Sequence, residues 1–188
     1  ALARPTVTLL RAALGAWPRQ LLQLGLVLQA LLAFACAGWV LVESGRYHEA
    51  LGAYSALAPA LPAAQQRLGL VRALRGEGLV AERALRAAMQ RGLADGDYQL
   101  ALLYLGRALA DSERAALADA TWRLLEDCRS PGACAYRGPG RLMRADEALR
   151  RGDSAAATTG YMAALDQPLP PAWAALARYR LALLRAPD

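Results

Sequence analysis

Hydrophobic and polar positions split the chain sharply in two. Residues 21–42 read LLQLGLVLQALLAFACAGWVLV, 22 positions without a charged side chain. As a helix rising ~1.5 Å per residue this stretch spans about 33 Å, enough for a hydrocarbon core of ~30 Å. From residue 43 onward the apolar positions are mostly Ala and Leu, with few β-branched residues, and Gly, Pro or Asp-Gly interrupts them every 12 to 18 residues. That pattern predicts helices at 46–58, 63–75, 79–91, 97–109, 112–127, 141–151, 154–166 and 171–185 and no strands. Only 128–140, CRSPGACAYRGPG, is left as a longer loop. The expected fold is all-α, one N-terminal transmembrane helix followed by stacked helical hairpins. Tyr54, Leu68, Leu85, Tyr104, Trp122, Leu125, Tyr161, Trp173 and Leu176 are its expected core.

Charge gives the span a direction. Arg4, Arg11 and Arg19 precede it with no acid, whereas Glu43, Arg46 and Glu49 follow it, so the N-terminus is expected in the cytoplasm. Residues 1–20 are then a cytoplasmic segment, in which 6–17 form a short amphipathic stretch on the inner surface, 21–42 the span, and 43–188 a periplasmic domain of a bacterial inner-membrane protein. Trp17 and Trp39 stand near the two interfaces. A cleaved signal peptide is the rival, because Ala33-Phe34-Ala35 precedes Cys36 as in a lipoprotein. The apolar stretch is long for a signal peptide, and Ala33 stands where a lipobox wants Leu.

The net charge of +6 changes little beyond topology. Half of it is the three N-terminal arginines, and no basic run interleaves with aromatics, so no nucleic-acid partner is expected. All 22 basic residues are Arg; Lys, Asn and Ile are absent. This excludes a Lys nucleophile or a P-loop Lys. No nucleophile elbow, Rossmann fingerprint or metal-binding helix motif occurs. His48, the single histidine, is a candidate base. The pairs Glu126/Asp127 and Asp146/Glu147 are neighbours about 100° apart on a helix and read as solvated faces. No catalytic residue, cofactor, metal site or small-molecule substrate is expected.

Cys128 and Cys134 flank Arg-Ser-Pro-Gly-Ala, a turn that would let the two sulfurs meet in an oxidising compartment. A disulfide is the expectation, against two free thiols or half of a zinc site. Within the span, Gly25, Gln29, Ala33 and Ala37 recur every four residues as a small-or-polar stripe, a candidate contact with another transmembrane helix. An amide near mid-membrane is costly when it faces lipid.

The helices repeat. Gly45-Arg-Tyr47-His-Glu-Ala50-Leu-Gly-Ala-Tyr54 resembles the start of the second helix of a tetratricopeptide (TPR) repeat. Leu68-Gly69, Gly76, Ala81, Leu85 and Ala88 keep similar offsets one unit on, and Gly152, Ala157 and Tyr161 do so again. Leu85 to Gly106 is similar to the core of a Sel1-like repeat, a relative of TPR. Together the matches cover roughly 38–186. The resemblance implies a solenoid of three to four hairpins, the first using the outer end of the span as its leading helix, with 171–185 as the capping helix. It also implies a groove on the first helices of the hairpins. Carried over residue by residue, that groove is Gln66, Leu70, Ala73, Tyr98, Leu102 and Leu105, suited to an apolar protein segment. The clamp for acidic C-termini found in chaperone-binding relatives needs Lys and Asn, which this chain lacks. The implied function is a non-catalytic scaffold or accessory subunit of a membrane complex that binds protein partners. The alternatives are a periplasmic chaperone or assembly factor, and an enzyme using His48.

Overall fold

The computed structural model describes residues 29, 33, 36–127 and 134–185. All regular elements among them are helical, and the chain divides into two compact units, residues 1–53 and 54–188. In the first unit residues 36–43 are helical and a turn leads into α1 (Tyr47–Leu57), which crosses the boundary. The second unit continues with α2 (Pro62–Leu74), α3 (Gly78–Gln90), α4 (Asp95–Asp111), α5 (Ala115–Arg123), α6 (Arg137–Arg150), α7 (Ser154–Leu165) and α8 (Pro171–Arg185). Among the described residues no helix is long and apolar enough to cross a membrane. Of the expected span, residues 21–28, 30–32, 34 and 35 lie outside the described residues.

The eight predicted helices correspond to α1–α8. The largest boundary errors are of four residues each: α5 ends at Arg123 rather than 127, and α6 begins at Arg137 rather than 141. Pro139 lies in its first turn, where a missing N–H removes no intrahelical bond.

Four turns share one geometry, and it sets the repeat. Gly45, Gly76, Glu113 and Gly152 all have positive φ, at 73°, 74°, 60° and 80°. After each, the next backbone N–H returns to the carbonyl five residues earlier: Arg46 to Leu41, Glu77 to Arg72, Arg114 to Leu109 and Asp153 to Ala148, at 2.8–2.9 Å. These are Schellman closures of the leading helix. Counted from the turn, the fifth residue is Ala50, Ala81, Ala118 and Ala157, each 0% exposed. The ninth is a large buried side chain: Tyr54, Leu85, Trp122 and Tyr161. The twelfth, Leu57, Ala88, Leu125 and Ala164, is buried too.

The leading helices supply the complementary small residues. Seven positions before each turn stand Gly38, Gly69, Gly106 and Ala145, all buried. A Cβ on Gly69 would lie 2.7 Å from Leu85 Cγ. In the last unit Ala145 carries a Cβ and the room comes from the second helix, where a Cβ on Gly160 would lie 2.8 Å from it. At Gly69 against Leu85 and Gly106 against Trp122, small-against-large pairing lets the leading helix approach its partner closely.

Contacts follow sequence order. α2 pairs with α3, α4 with α5 and α6 with α7; α3–α4, α5–α6 and α7–α8 join successive hairpins, and the leading helices adjoin as α2–α4 and α4–α6. Arg91 closes the end of α1, donating to Ala58 O at 2.7 Å and Pro59 O at 2.9 Å, carbonyls that a helix C-terminus leaves without an internal partner. Of the expected core, Tyr54, Leu68, Leu85, Trp122, Leu125 and Tyr161 are buried, and Tyr104 and Trp173 are partly so. Leu176 is exposed, a correction. α8 packs on α7 through Trp173, Ala177 and Leu181, while Leu176, Tyr179 and Leu183 on its other side are exposed.

The third turn carries a misplaced residue type. Glu113 sits in a left-handed conformation that costs a non-glycine residue about 1–2 kcal/mol. Glu113→Gly is expected to raise stability by about 1 kcal/mol, a Tm increase of about 2–4 °C for a chain of this size. Thermal unfolding of the two proteins side by side checks this.

Candidate partner-binding surfaces

The six residues carried over as a groove do not form an open one. Gln66, Leu70, Ala73, Leu102 and Leu105 are buried, and only Tyr98 reaches the surface. The reason is that α2 and α4 pack on each other and on α3 and α5, so those faces are already covered. Gln66 donates from Nε2 to Asp97 O at 2.9 Å, bracing α2 against the start of α4.

An open cleft of about 510 Å³ lies further along the leading helices, where α4, α6 and α8 meet. Met143 and Leu149 of α6 and Tyr179 and Leu183 of α8 supply its apolar surface. Tyr179 is 62% and Leu183 57% exposed. Three arginines, Arg107, Arg150 and Arg180, face three acids, Asp111, Asp146 and Glu147, along its lining. Arg107 lies 3.8 Å from Asp111 and Arg150 2.8 Å from Glu147, so the cleft is electrically balanced and its attraction for a ligand is apolar. Leu176 of α8 belongs to the expected core and Tyr179 and Leu183 do not; the i, i+4 spacing of these two on the face opposite Trp173, Ala177 and Leu181 is the signal that identifies them.

Beneath this cleft the acids do more than solvate a face. Glu147 is only 5% exposed and bound by Arg150, with Arg151 3.8 Å away. Asp146 accepts from the Tyr161 hydroxyl at 2.7 Å and pairs with Arg180. Burial pushes the Tyr161 phenol up and the Arg180 guanidinium down from their ordinary values. The expectation that Asp146/Glu147 form a solvated face is corrected by these partners, and that for Glu126 by Arg141 and Arg144, which hold it at 2.7 and 3.2 Å.

A second and larger trough, about 970 Å³, runs on the other side of α6, between α5 and α7. Its uncharged lining is alanine apart from Thr159 and Gly160. At its rim Arg141 holds Glu126 at 2.7 Å, Arg144 joins Asp119 at 2.7 Å to Glu126 at 3.2 Å, and Arg123 lies 2.8 Å from Asp119. The hydrogen bond from Arg141 holds the Glu126 carboxyl below the usual range, with Arg141, Arg144 and Arg137 adding Coulombic attraction. Glu82, bound by Arg114 and Arg86, is lowered in the same way.

Depressed carboxylates stabilise the fold above their unfolded pKa, and that contribution disappears as pH falls through the folded value. Thermal stability is therefore expected to be level above about pH 5.5 and to fall below about pH 4.5. Glu126→Gln should flatten part of that acid slope while changing little at pH 7 beyond the lost ion pairs. Tm measured from pH 3 to 8 for both proteins checks it.

The other expected sites are placed as follows. His48 is exposed on α1. Among the described residues no group of His, Cys, Asp and Glu is arranged to hold a metal. Gln29, Ala33 and Ala37 are helical and exposed; Gly25 lies outside the described residues. Cys134 is disulfide-bonded and Cys36 is a free, exposed thiol. Cys128 lies outside the described residues.

Compared with protein-family models, curated proteins and solved structures, the chain matches none.

Proposed function

We propose that this chain is a membrane-anchored TPR/Sel1-like scaffold, an accessory subunit of a bacterial inner-membrane complex. Residues 21–42 anchor it, the N-terminus is cytoplasmic, and the helical repeats stand in the periplasm with Cys128 and Cys134 joined. The observation that carries the reading is the fourfold recurrence of one turn, one buried alanine and one large wedge, the construction of a protein whose hairpins exist to be stacked. An apolar segment of a partner docks in the α4–α6–α8 cleft on Tyr179 and Leu183. The exposed apolar side chains Trp39 and Val40, at the outer end of the expected span, support an anchor there.

The test is mass spectrometry of what copurifies with the 188-residue chain in mild detergent, with a version starting at Glu43, and with Tyr179→Ser/Leu183→Ser. A constant set of membrane proteins, lost without residues 1–42 and depleted by the double substitution, is the expected result. A heterogeneous set of soluble periplasmic proteins kept by the shortened version would replace the scaffold reading with a chaperone.

A further inference from the structure

The trough between α5 and α7 is built differently from the cleft on the leading helices, and its chemistry selects a different ligand. Ala115 and Ala116 of α5, Ala148 of α6 and Ala155, Ala156 and Ala163 of α7 give it walls whose uncharged side chains are all small. Four arginines line it, Arg123, Arg141, Arg144 and Arg151, against two carboxylates, Asp119 and Glu126. Both carboxylates are already shared: Asp119 serves Arg123 and Arg144, and Glu126 serves Arg141 and Arg144. Arg151 lies 3.8 Å from Glu147, an acid held more closely by Arg150 at 2.8 Å. The trough therefore carries a surplus of two positive charges, and the side chains of Arg123 and Arg151 at its rim are 66% and 58% exposed.

Size narrows the choice. A helix with side chains is about 10 Å across and rises ~1.5 Å per residue, so it fills about 120 Å³ per residue. The 970 Å³ of the trough matches about two enclosed turns, or about four turns of a helix sunk to half its depth. Methyl walls allow a helix to approach closely while its own larger apolar side chains fill the space. Rim guanidiniums then meet carboxylates on the flanks of that helix, as fork-shaped donors suited to paired carboxylate oxygens. A second copy of α8 is a poor occupant, because α8 bears Arg178, Arg180 and Arg185 and no acid.

We propose that the α5–α6–α7 trough is a second docking site that takes an acidic amphipathic helix of a partner protein, with its apolar side chains on the alanine walls and its carboxylates on Arg123 and Arg151. The site is separate from the α4–α6–α8 cleft and shares no lining residue with it.

The experiment is a selection of displayed random 16-residue peptides on the 188-residue chain in detergent, followed by fluorescence anisotropy of the enriched sequences. Enriched peptides are expected to be net negative and helical when bound. Their affinity should fall at least tenfold on Ala156→Trp, which fills the trough from an exposed wall position, and on Arg123→Glu/Arg151→Glu. It should be unchanged on Tyr179→Ser/Leu183→Ser. Raising salt from about 50 to 300 mM should weaken binding several-fold by screening the surface charges. Circular dichroism and Tm of each variant separate lost binding from lost folding. Enrichment of neutral or basic peptides, equal affinity for Ala156→Trp, or no enrichment at all would overturn the proposal. So would anionic phosphatidylglycerol vesicles displacing the peptides by occupying the same arginines more tightly. Loss through the Tyr179/Leu183 variant alone would instead place the ligand in the cleft and leave the scaffold reading standing.

Discussion

Gly106→Ala is expected to destabilise the chain by about 3 kcal/mol, a large share of the 5–15 kcal/mol that holds a domain of this kind together. The added Cβ would overlap Nε1 of Trp122 and sit 2.5 Å from its Cε2. The indole cannot give way easily. Trp122 is buried to 2% exposure, and its Nε1 donates to Leu103 O at 2.9 Å. Moving the ring breaks that bond in a dry interior, where a donor left unpaired costs about 1–3 kcal/mol. Keeping the ring in place forces α4 away from α5 and opens a gap along the hairpin. The ordinary preference of helices for Ala over Gly, about 1 kcal/mol, acts in the opposite direction and is too small to compensate. Urea denaturation of both proteins checks the sign. A neutral or stabilising result would mean that α4 and α5 are not in close contact at this pair.

The same pair explains how much of the fold was legible. Three of the four turns announced themselves because Gly45, Gly76 and Gly152 stand where a left-handed residue is needed. The third did not, because Glu113 fills that position, and so the unit holding Ala118, Trp122 and Leu125 escaped the repeat pattern although Trp122 and Leu125 were recognisable as core. Helix content was legible throughout, since it is written locally in Ala and Leu runs bounded by Gly and Pro. The groove was not. Its expected residues occupy leading-helix positions that in this chain pack against neighbouring leading helices, a tertiary fact with no local signature. The arginine pairs were hidden for a related reason. Asp119 of α5 meets Arg144 of α6, and Glu126, in the turn after α5, meets Arg141 of α6, so each segment taken alone shows acids and no partner. Both grooves are made where three helices converge, and neither is encoded in any one of them.

Tyr161 is where the last unit depends on a single side chain, and two substitutions there should separate its two roles. Tyr161→Ala removes a fully buried ring and is expected to cost about 4 kcal/mol in lost transfer energy and cavity. Tyr161→Phe keeps the ring and removes only the hydroxyl, which donates to Asp146 at 2.7 Å and lies 3.5 Å from Arg180 Nη1. The Asp146 carboxylate then keeps Arg180 and loses one of its bonds, an expected cost of about 1.5–3 kcal/mol because the acceptor is charged. Since Arg180 belongs to α8 and Asp146 to α6, that loss should fall unevenly along the chain. Hydrogen exchange is expected to accelerate in 171–185 in Tyr161→Phe while α4 keeps its protection, because local opening of one helix needs less free energy than global unfolding. Adding Asp146→Asn to Tyr161→Phe should cost less than Asp146→Asn alone in the parent, as it must if the hydroxyl and the carboxylate act as one unit. Strictly additive losses, with α8 exchanging no faster than α4, would show that α8 is held by Trp173, Ala177 and Leu181 alone. In that case the polar network under the cleft would contribute nothing to keeping Tyr179 and Leu183 in place.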